Sequence, residues 1–518
     1  MLKLKGDASK LLKGISFSWM RFGLSIGLGL IQTPILFRNL PSEQLNSWYI
    51  FYSFGAFLQM ADLGLTQTIS RLIAYVDNIE ETDDNTIGIL ASFKIKQIYY
   101  TAIFSFLSLI LILGIGVTFT YFSVQNQNSF DKNLVLAFYM YIISMMFTLL
   151  SNIPGAMLIG YRDIAPESII RSIFQVLFFL FLLFGLPYYK NILFVAAAFL
   201  LQNVGMFVAL HLTFFFRHKK VFDEFCLLKD TVKLTISKSI YRQSLPLAVN
   251  QMGGWLISQG NIFVASIVVG SQNISDYAIN QQVFTYIASI SLVLNQAIGP
   301  FIAKQYIQNK QENLQQFFKS TTIFSLTIVS VMIVIQVVCG FDIISLWVGP
   351  DHYLGLAFSC VFAMITFLEV QHSVSGNFVW NTRSWPFNTW TLAAGILNVA
   401  LGYGFGKYYG LLGMAIATLI SKLVTLNWYV VYYCLKKLHM RVTSYVTTIL
   451  CPVICIALLG FFLVSQMKSL AFFEVKSEIL RIVLLSLSSF IVIAGLTIYF
   501  FKNYIMIMYK LIVLKINP

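Results

Sequence analysis

Apolar stretches of about twenty residues recur along this chain from Ser16 almost to its end, separated by short polar clusters. Each is long enough to cross a bilayer as a helix. Hydropathy predicts about fourteen spans: 15–37, 47–71, 98–121, 134–159, 168–186, 191–216, 244–268, 277–303, 321–341, 354–379, 388–405, 411–435, 446–466 and 479–501. Runs such as FSFLSLILILGIGV lack the alternation of a membrane β-strand, so a barrel is excluded. The expected fold class is an all-α polytopic membrane protein.

The polar positions inside these spans are patterned as well. At the helical period, Ser18, Arg21, Ser25 and Gln32 share one side of span one. Tyr52, Gly55, Gln59, Asp62, Thr66 and Ser70 do so in span two. Span seven aligns Pro246, Asn250, Gly253, Gly254 and Asn261, and span eight aligns Tyr277, Gln281, Thr285 and Asn295. Glu369, His372, Ser373 and Gly376 share a face of span ten, and Thr418, Ser421, Lys422, Thr425 and Tyr429 a face of span twelve. Lipid penalises such faces, so they are expected to turn toward the bundle interior or a wet cavity. For Ser, Thr and Gly, simple helix-to-helix packing is the better explanation. Spans thirteen and fourteen lack polar faces and are expected to be peripheral additions.

Charge fixes the predicted topology. The chain is 58% hydrophobic and 11% charged, with a formal net charge of +14. Soluble proteins average about 25% charged residues. With the N-terminus inside, cytoplasmic segments hold 26 of the 35 Lys and Arg, the opposite loops six, and the spans three. This bias predicts both termini in the cytoplasm and accounts for the positive charge without any nucleic-acid partner. The basic opening MLKLKGDASKLLKG is not expected to be a cleaved signal, because the long apolar segment after it holds Arg21 and lacks a cleavage site. The longest basic connection, 217–243, divides the chain into a six-helix half at 1–216 and a second at 244–435, with two further helices at 446–501. LTQTISRLIA (65–74) and LNQAIGPFIA (294–303) match at five of ten positions and end the second helix of each half, which suggests parallel repeats.

Depth suggests which charges meet. Arg21 lies seven residues past Gly14, roughly 10 Å along the helix, and Asp62 nine residues before Arg71, roughly 13 Å from the same side. Spans one and two are consecutive, so an Arg21–Asp62 pair is expected. Glu369 and Lys422 each lie fourteen residues before a cytoplasmic basic residue (Arg383, Lys436), which makes a second pair possible, with His372 one turn from Glu369. Such pairs can be functional or purely structural.

Catalytic and metal motifs are missing. The chain has no Gly-Lys-Ser/Thr phosphate loop, no His-Glu-x-x-His and no Gly-x-Ser-x-Gly. The glycines of GYGFGKYYG (402–410) read as a loop between spans, and the six cysteines are scattered. No enzyme activity and no bound cofactor are expected. A carrier could still use a coupling ion, H⁺ or Na⁺.

Span two, MADLGLTQTISRLIAY, resembles the Asp-Leu-Gly-Leu signature of polysaccharide-export flippases in the multidrug/oligosaccharidyl-lipid/polysaccharide superfamily. PLAVNQMGGWLISQGNIFVASIVVG, YAINQQV, LNQAIGPFIAKQY, SLWVGPDHY and ILNVALGYGFGKYYGLLGMAIATLISKL are similar too, so the resemblance covers roughly residues 10–440. It implies two six-helix bundles forming a V around a central cavity, in a bacterial cytoplasmic membrane. The implied substrate is an oligosaccharide repeat unit (O-antigen, capsule or exopolysaccharide) on a polyprenyl diphosphate. The implied partners are membrane lipids and glycan-assembly proteins such as a polysaccharide polymerase. By depth, Arg21 and Lys422 are the candidates to meet the diphosphate. Gln32, Gln59, Asn250, Asn261, Gln281, Trp255 and Trp380 could serve sugar hydroxyls and faces. Two departures stand out: spans seven and eight carry no Lys or Arg before Lys304, and NFVW is followed by NTRSWP. The alternatives are a cation-coupled multidrug exporter of the same fold, using Asp62 or Glu369, and a polysaccharide polymerase or ligase.

Overall fold

The computed structural model describes residues 2–59, 62, 66, 70, 132–219, 248–270, 273–293, 295, 298–308, 311–382, 387–469 and 477–513. Predicted span three, most of 60–71 and nearly all of the 217–243 connection lie outside the described residues. Among the described residues nine helical segments are long and apolar enough to cross a membrane. The chain divides into two compact units, 1–263 and 264–518.

The first unit holds α1 (Leu2–Asn39), α2 (Ser42–Gln59), α3 (Lys132–Gly160), α4 (Ile164–Tyr189) and α5 (Ile192–Arg217). α3 packs along α5, α1 along α4, and α2 against α3. The α4–α5 connection is tight because Asn191 caps α5: its side chain accepts from the Leu193 N–H at 2.9 Å, and Gln44 Oε1 accepts from Ile192 N–H at 2.8 Å. The core between α2, α3 and α5 is aromatic. Tyr141 stacks on Phe199 (5.3 Å) and meets the Trp48 edge (5.3 Å). Gly55 sits under Tyr141, where a Cβ would come within 2.3 Å of the phenol oxygen. That polar-face position of span two is thus a close-packing position.

The sequence boundary between halves at 217–243 differs from the structural one at 263. Residues 248–263 belong to the first unit because they lock onto α2: Ser53 Oγ donates to Gln259 O (2.9 Å), Trp255 Nε1 to Ser53 O (3.1 Å), and Trp255 packs on Phe57 at 4.9 Å. Trp255 is therefore engaged in helix packing.

Next come α6 (Gly260–Val268), α7 (Ile274–Ser291), α8 (Gly299–Ile307), α9 (Gln311–Trp347), a 3₁₀ turn (Pro350–His352) and α10 (Leu356–Asn381). α11 (Asn388–Val424), α12 (Leu426–Lys437), α13 (Val442–Tyr445), a π turn (Val446–Leu450), α14 (Cys451–Lys468) and α15 (Glu478–Val513) complete the chain. The π turn precedes Pro452, whose missing N–H and bulky ring disfavour a regular helix there.

Three elements depart from the hydropathy reading. Span eight, predicted as one helix over 277–303, is interrupted by turns at Leu292 and Ile298, with α7 ending at Ser291 and α8 starting at Gly299, while Val293 and Asn295 are helical. The predicted loop between spans eleven and twelve shrinks to a break at Gly410 (φ 58°, ψ −142°), in a region open to glycine. α9 runs 37 residues, well past the predicted 321–341, and forms the axis of the second unit. α7, α8, α10, α14 and α15 all pack on it. The last two helices are also tied to it by charge. Asp342 of α9 accepts from Arg481 of α15 at 2.7 Å, and Lys468 of α14 lies 3.2 Å from its other oxygen.

Candidate functional site

Besides the Asp342 cluster, two charge clusters and one interrupted helix carry polar chemistry inside the described spans. The first cluster is in the first unit. Glu167, in the first turn of α4, is 5% exposed and takes two guanidiniums. Arg21 Nη1 of α1 donates to both carboxylate oxygens at 3.0 Å. Arg171 Nε, one turn along α4, donates at 2.5 Å. Arg171 is held further by Asn152 Oδ1 of α3 at 3.1 Å, and Ser168 Oγ donates to Glu167 at 3.3 Å. Above and below, Ser18 pairs with Ser168 (3.1 Å), and Gln175 Nε2 donates to Ser25 Oγ (3.0 Å). Two guanidiniums against one carboxylate leave one formal positive charge. Arg21 carries it outward: its side chain is 39% exposed, and among the described residues only Nη1 is engaged. Nε and Nη2 retain donors for a ligand.

The expected Arg21–Asp62 pair does not form. Asp62 bonds a near neighbour in sequence instead, accepting from Thr66 Oγ1 and from Thr66 N–H at 3.3 Å. The depth argument paired helices that are neighbours in sequence, whereas α1 runs alongside α4 and packs far less against α2. The polar side of span one is likewise a seam: Ser18, Arg21 and Ser25 interlock with Ser168, Glu167 and Gln175. Glu167 and Arg171 escaped the sequence reading because they fall at the edge of a span, where Arg171 counts as a loop charge. The available signal was a Glu and an Arg four residues apart, just inside an apolar helix.

The second cluster joins α10 and α11. Lys422 Nζ donates to Glu369 Oε2 at 2.6 Å, Ser373 Oγ to Oε1 at 3.3 Å, and His372 Nδ1 lies 4.0 Å from Oε1. The Lys422 side chain is 10% exposed and that of Glu369 is 35% exposed. Glu369, His372 and Lys422 therefore come together, as their depth and helical phase suggested.

The remaining expected residues are spread. Gln32 and Asn250 are half-buried, Asn261 is buried, and Gln59 at the end of α2 is exposed. Gln281 is half-buried on α7, while Tyr277 on the same helix is fully buried against Phe358 (5.7 Å).

The break in span eight is sealed by amides of α10. Asn377 Nδ2 donates to Asn295 O at 2.6 Å and to Asn295 Oδ1 at 3.1 Å, and Asn381 Nδ2 donates to Asn377 Oδ1 at 2.9 Å. Interrupted helices are tolerated at membrane depth only when their freed carbonyls are bonded in this way. Asn377→Leu leaves the Asn295 carbonyl orphaned and is expected to destabilise the protein by about 1–3 kcal/mol. A lowered unfolding temperature in detergent, against an unchanged one for a surface control, is the check.

The helices and their packing are similar in fold to solved membrane transporters of the multidrug/oligosaccharidyl-lipid/polysaccharide superfamily. The lipid II flippase MurJ, in an inward closed conformation, matches with a TM-score of 0.66 and 15% identity, over 95% of this chain and 100% of its own. An inward-facing multidrug-resistance MATE transporter matches with a TM-score of 0.60 and 13% identity, over 83% and 98% of the two chains. A superfamily transporter from Pyrococcus furiosus, noted for the reverse polarity of its binding pocket, matches at 0.53 and 13%, over 84% and 96%. At these identities the likeness is one of fold alone. No family model and no curated protein matches the chain.

Proposed function

We propose that this protein moves a polyprenyl-diphosphate-linked oligosaccharide repeat unit across the cytoplasmic membrane by alternating access. The carrying observation is the unbalanced guanidinium of Arg21. A diphosphate bears at least two negative charges, and a guanidinium gives it charge-assisted hydrogen bonds that a neutral drug cannot use. Glu167 holds Arg21 through one nitrogen and positions the rest of the fork for a phosphate. The ligand competes for the guanidinium while Arg171 keeps Glu167 compensated, so the carboxylate is never left alone. The likeness to a structure described as a lipid II flippase supports a lipid-linked cargo. Lys422, paired with Glu369, is a second phosphate candidate; Gln32, Gln59, Asn250, Asn261 and Gln281 are proposed for the sugars. The proposed partners are membrane lipids and glycan-assembly proteins.

A second reading is a cation-coupled exporter. It is favoured by the carboxylates Asp62 and Glu369 within predicted spans and by the likeness to a multidrug transporter. Loss of the gene separates the two. The flippase reading expects lost surface polysaccharide and accumulated lipid-linked intermediate with normal drug tolerance. Drug sensitivity with normal surface glycan overturns it.

A further inference from the structure

We infer a second lipid site, for an anionic glycerophospholipid, in a cleft where α4 begins and α5 ends. This goes beyond the transport reading and rests on residues that reading does not use. The cleft is an open groove of about 740 Å³ between the α3–α4 turn, the first turns of α4 and the last turns of α5. Its volume falls within the range of small-molecule sites, roughly 300–1,000 Å³.

Its lining has two parts. At one end stand the guanidiniums of Arg162 and Arg217. Along the rest lie Ile169 of α4 and Leu212 and Phe216 of α5, and Phe216 is 74% exposed. Cations at one end of an apolar trough match a phosphate carrying acyl chains. The predicted topology puts this end of the three helices at the cytoplasmic surface, the leaflet whose anionic lipids attract basic segments.

The cationic end is built. Asp163 holds Arg217 (3.5 Å) and His218 (3.1 Å), and His218 is stacked on Tyr161 at 4.5 Å. Arg162 sits at φ 63°, in the left-handed region where glycine is at ease and arginine is strained. The lining offers a single hydroxyl, Thr213, and no amide. That chemistry suits a phosphoglycerol headgroup and leaves a large glycan without partners.

The test uses the purified full chain in detergent, titrated with phosphatidylglycerol, phosphatidylcholine or inorganic phosphate while the unfolding temperature is read. Phosphatidylglycerol alone is expected to raise it. Arg162→Gly is expected to keep a single cooperative unfolding transition without lipid, yet to lose most of the phosphatidylglycerol shift. Phe216→Glu, which puts a like charge beside the phosphate, is expected to lose it as well. Equal shifts from the two lipids, a full shift from inorganic phosphate, or an undiminished shift in both variants each overturn the proposal.

Discussion

Glu167→Gln is expected to destabilise this protein more than Arg21→Gln, although Arg21 is the residue placed to touch substrate. The two substitutions leave different charges behind. Without Arg21, Glu167 still has Arg171 at 2.5 Å and Ser168, and the cluster becomes formally neutral. Without the carboxylate, two guanidiniums face each other across a neutral amide, one of them pinned among Asn152 and Met206. Removing one partner from a buried ion pair costs about 3–5 kcal/mol, mostly because the other charge stays buried and unpaired. Glu167→Gln belongs in that range. Arg21→Gln falls below it, since Arg21 is partly solvated and its bond is screened. Unfolding temperature and folded yield of the two variants give the comparison. Equal losses would mean that Arg171 does not share the carboxylate in the working protein.

The second large effect is at Glu369–Lys422, and it is asymmetric. Glu369→Gln strands an ammonium with only a tenth of its side chain exposed, whereas Lys422→Met strands a carboxylate a third exposed and flanked by Ser373 and His372. The first is expected to cost about 3–5 kcal/mol and the second to sit at or below the lower end. The double variant Glu369→Gln with Lys422→Met should recover part of the loss, because a neutral pair buries no charge. A double variant no more stable than Glu369→Gln alone would deny the coupling.

These clusters show what a sequence can and cannot disclose in a membrane helix. Length and apolarity announce spans such as α4 and α5, because the hydrocarbon thickness dictates both. Period and depth place Glu369 and Lys422 at one level, and the two helices that carry them turn out to touch. The same reasoning fails for Arg21 and Asp62, because depth says nothing of which helices are neighbours. α1 lies along α4, so the counter-ion comes from residue 167. The break in span eight is hidden for a different reason: hydropathy averages over a turn and does not register that Asn377 can replace a backbone donor at Asn295. Gly410 is the converse. Spaced glycines looked like a loop, and one residue with positive φ suffices. The residues expected to meet sugars are polar at helical spacing, a pattern shared by packing seams, and the seam of Ser18, Ser25, Ser168 and Gln175 shows that packing uses it too.

Leaflet transfer of a lipid-linked oligosaccharide in proteoliposomes, compared between wild type and Arg21→Gln, addresses the proposed role of Arg21 most directly. A lost charge-assisted bond of about 1.5–3 kcal/mol corresponds to roughly a 10- to 150-fold fall in transfer, with folding held and partial rescue by Arg21→Lys. Wild-type transfer rates in well-folded Arg21→Gln would contradict the proposal that this guanidinium receives the diphosphate.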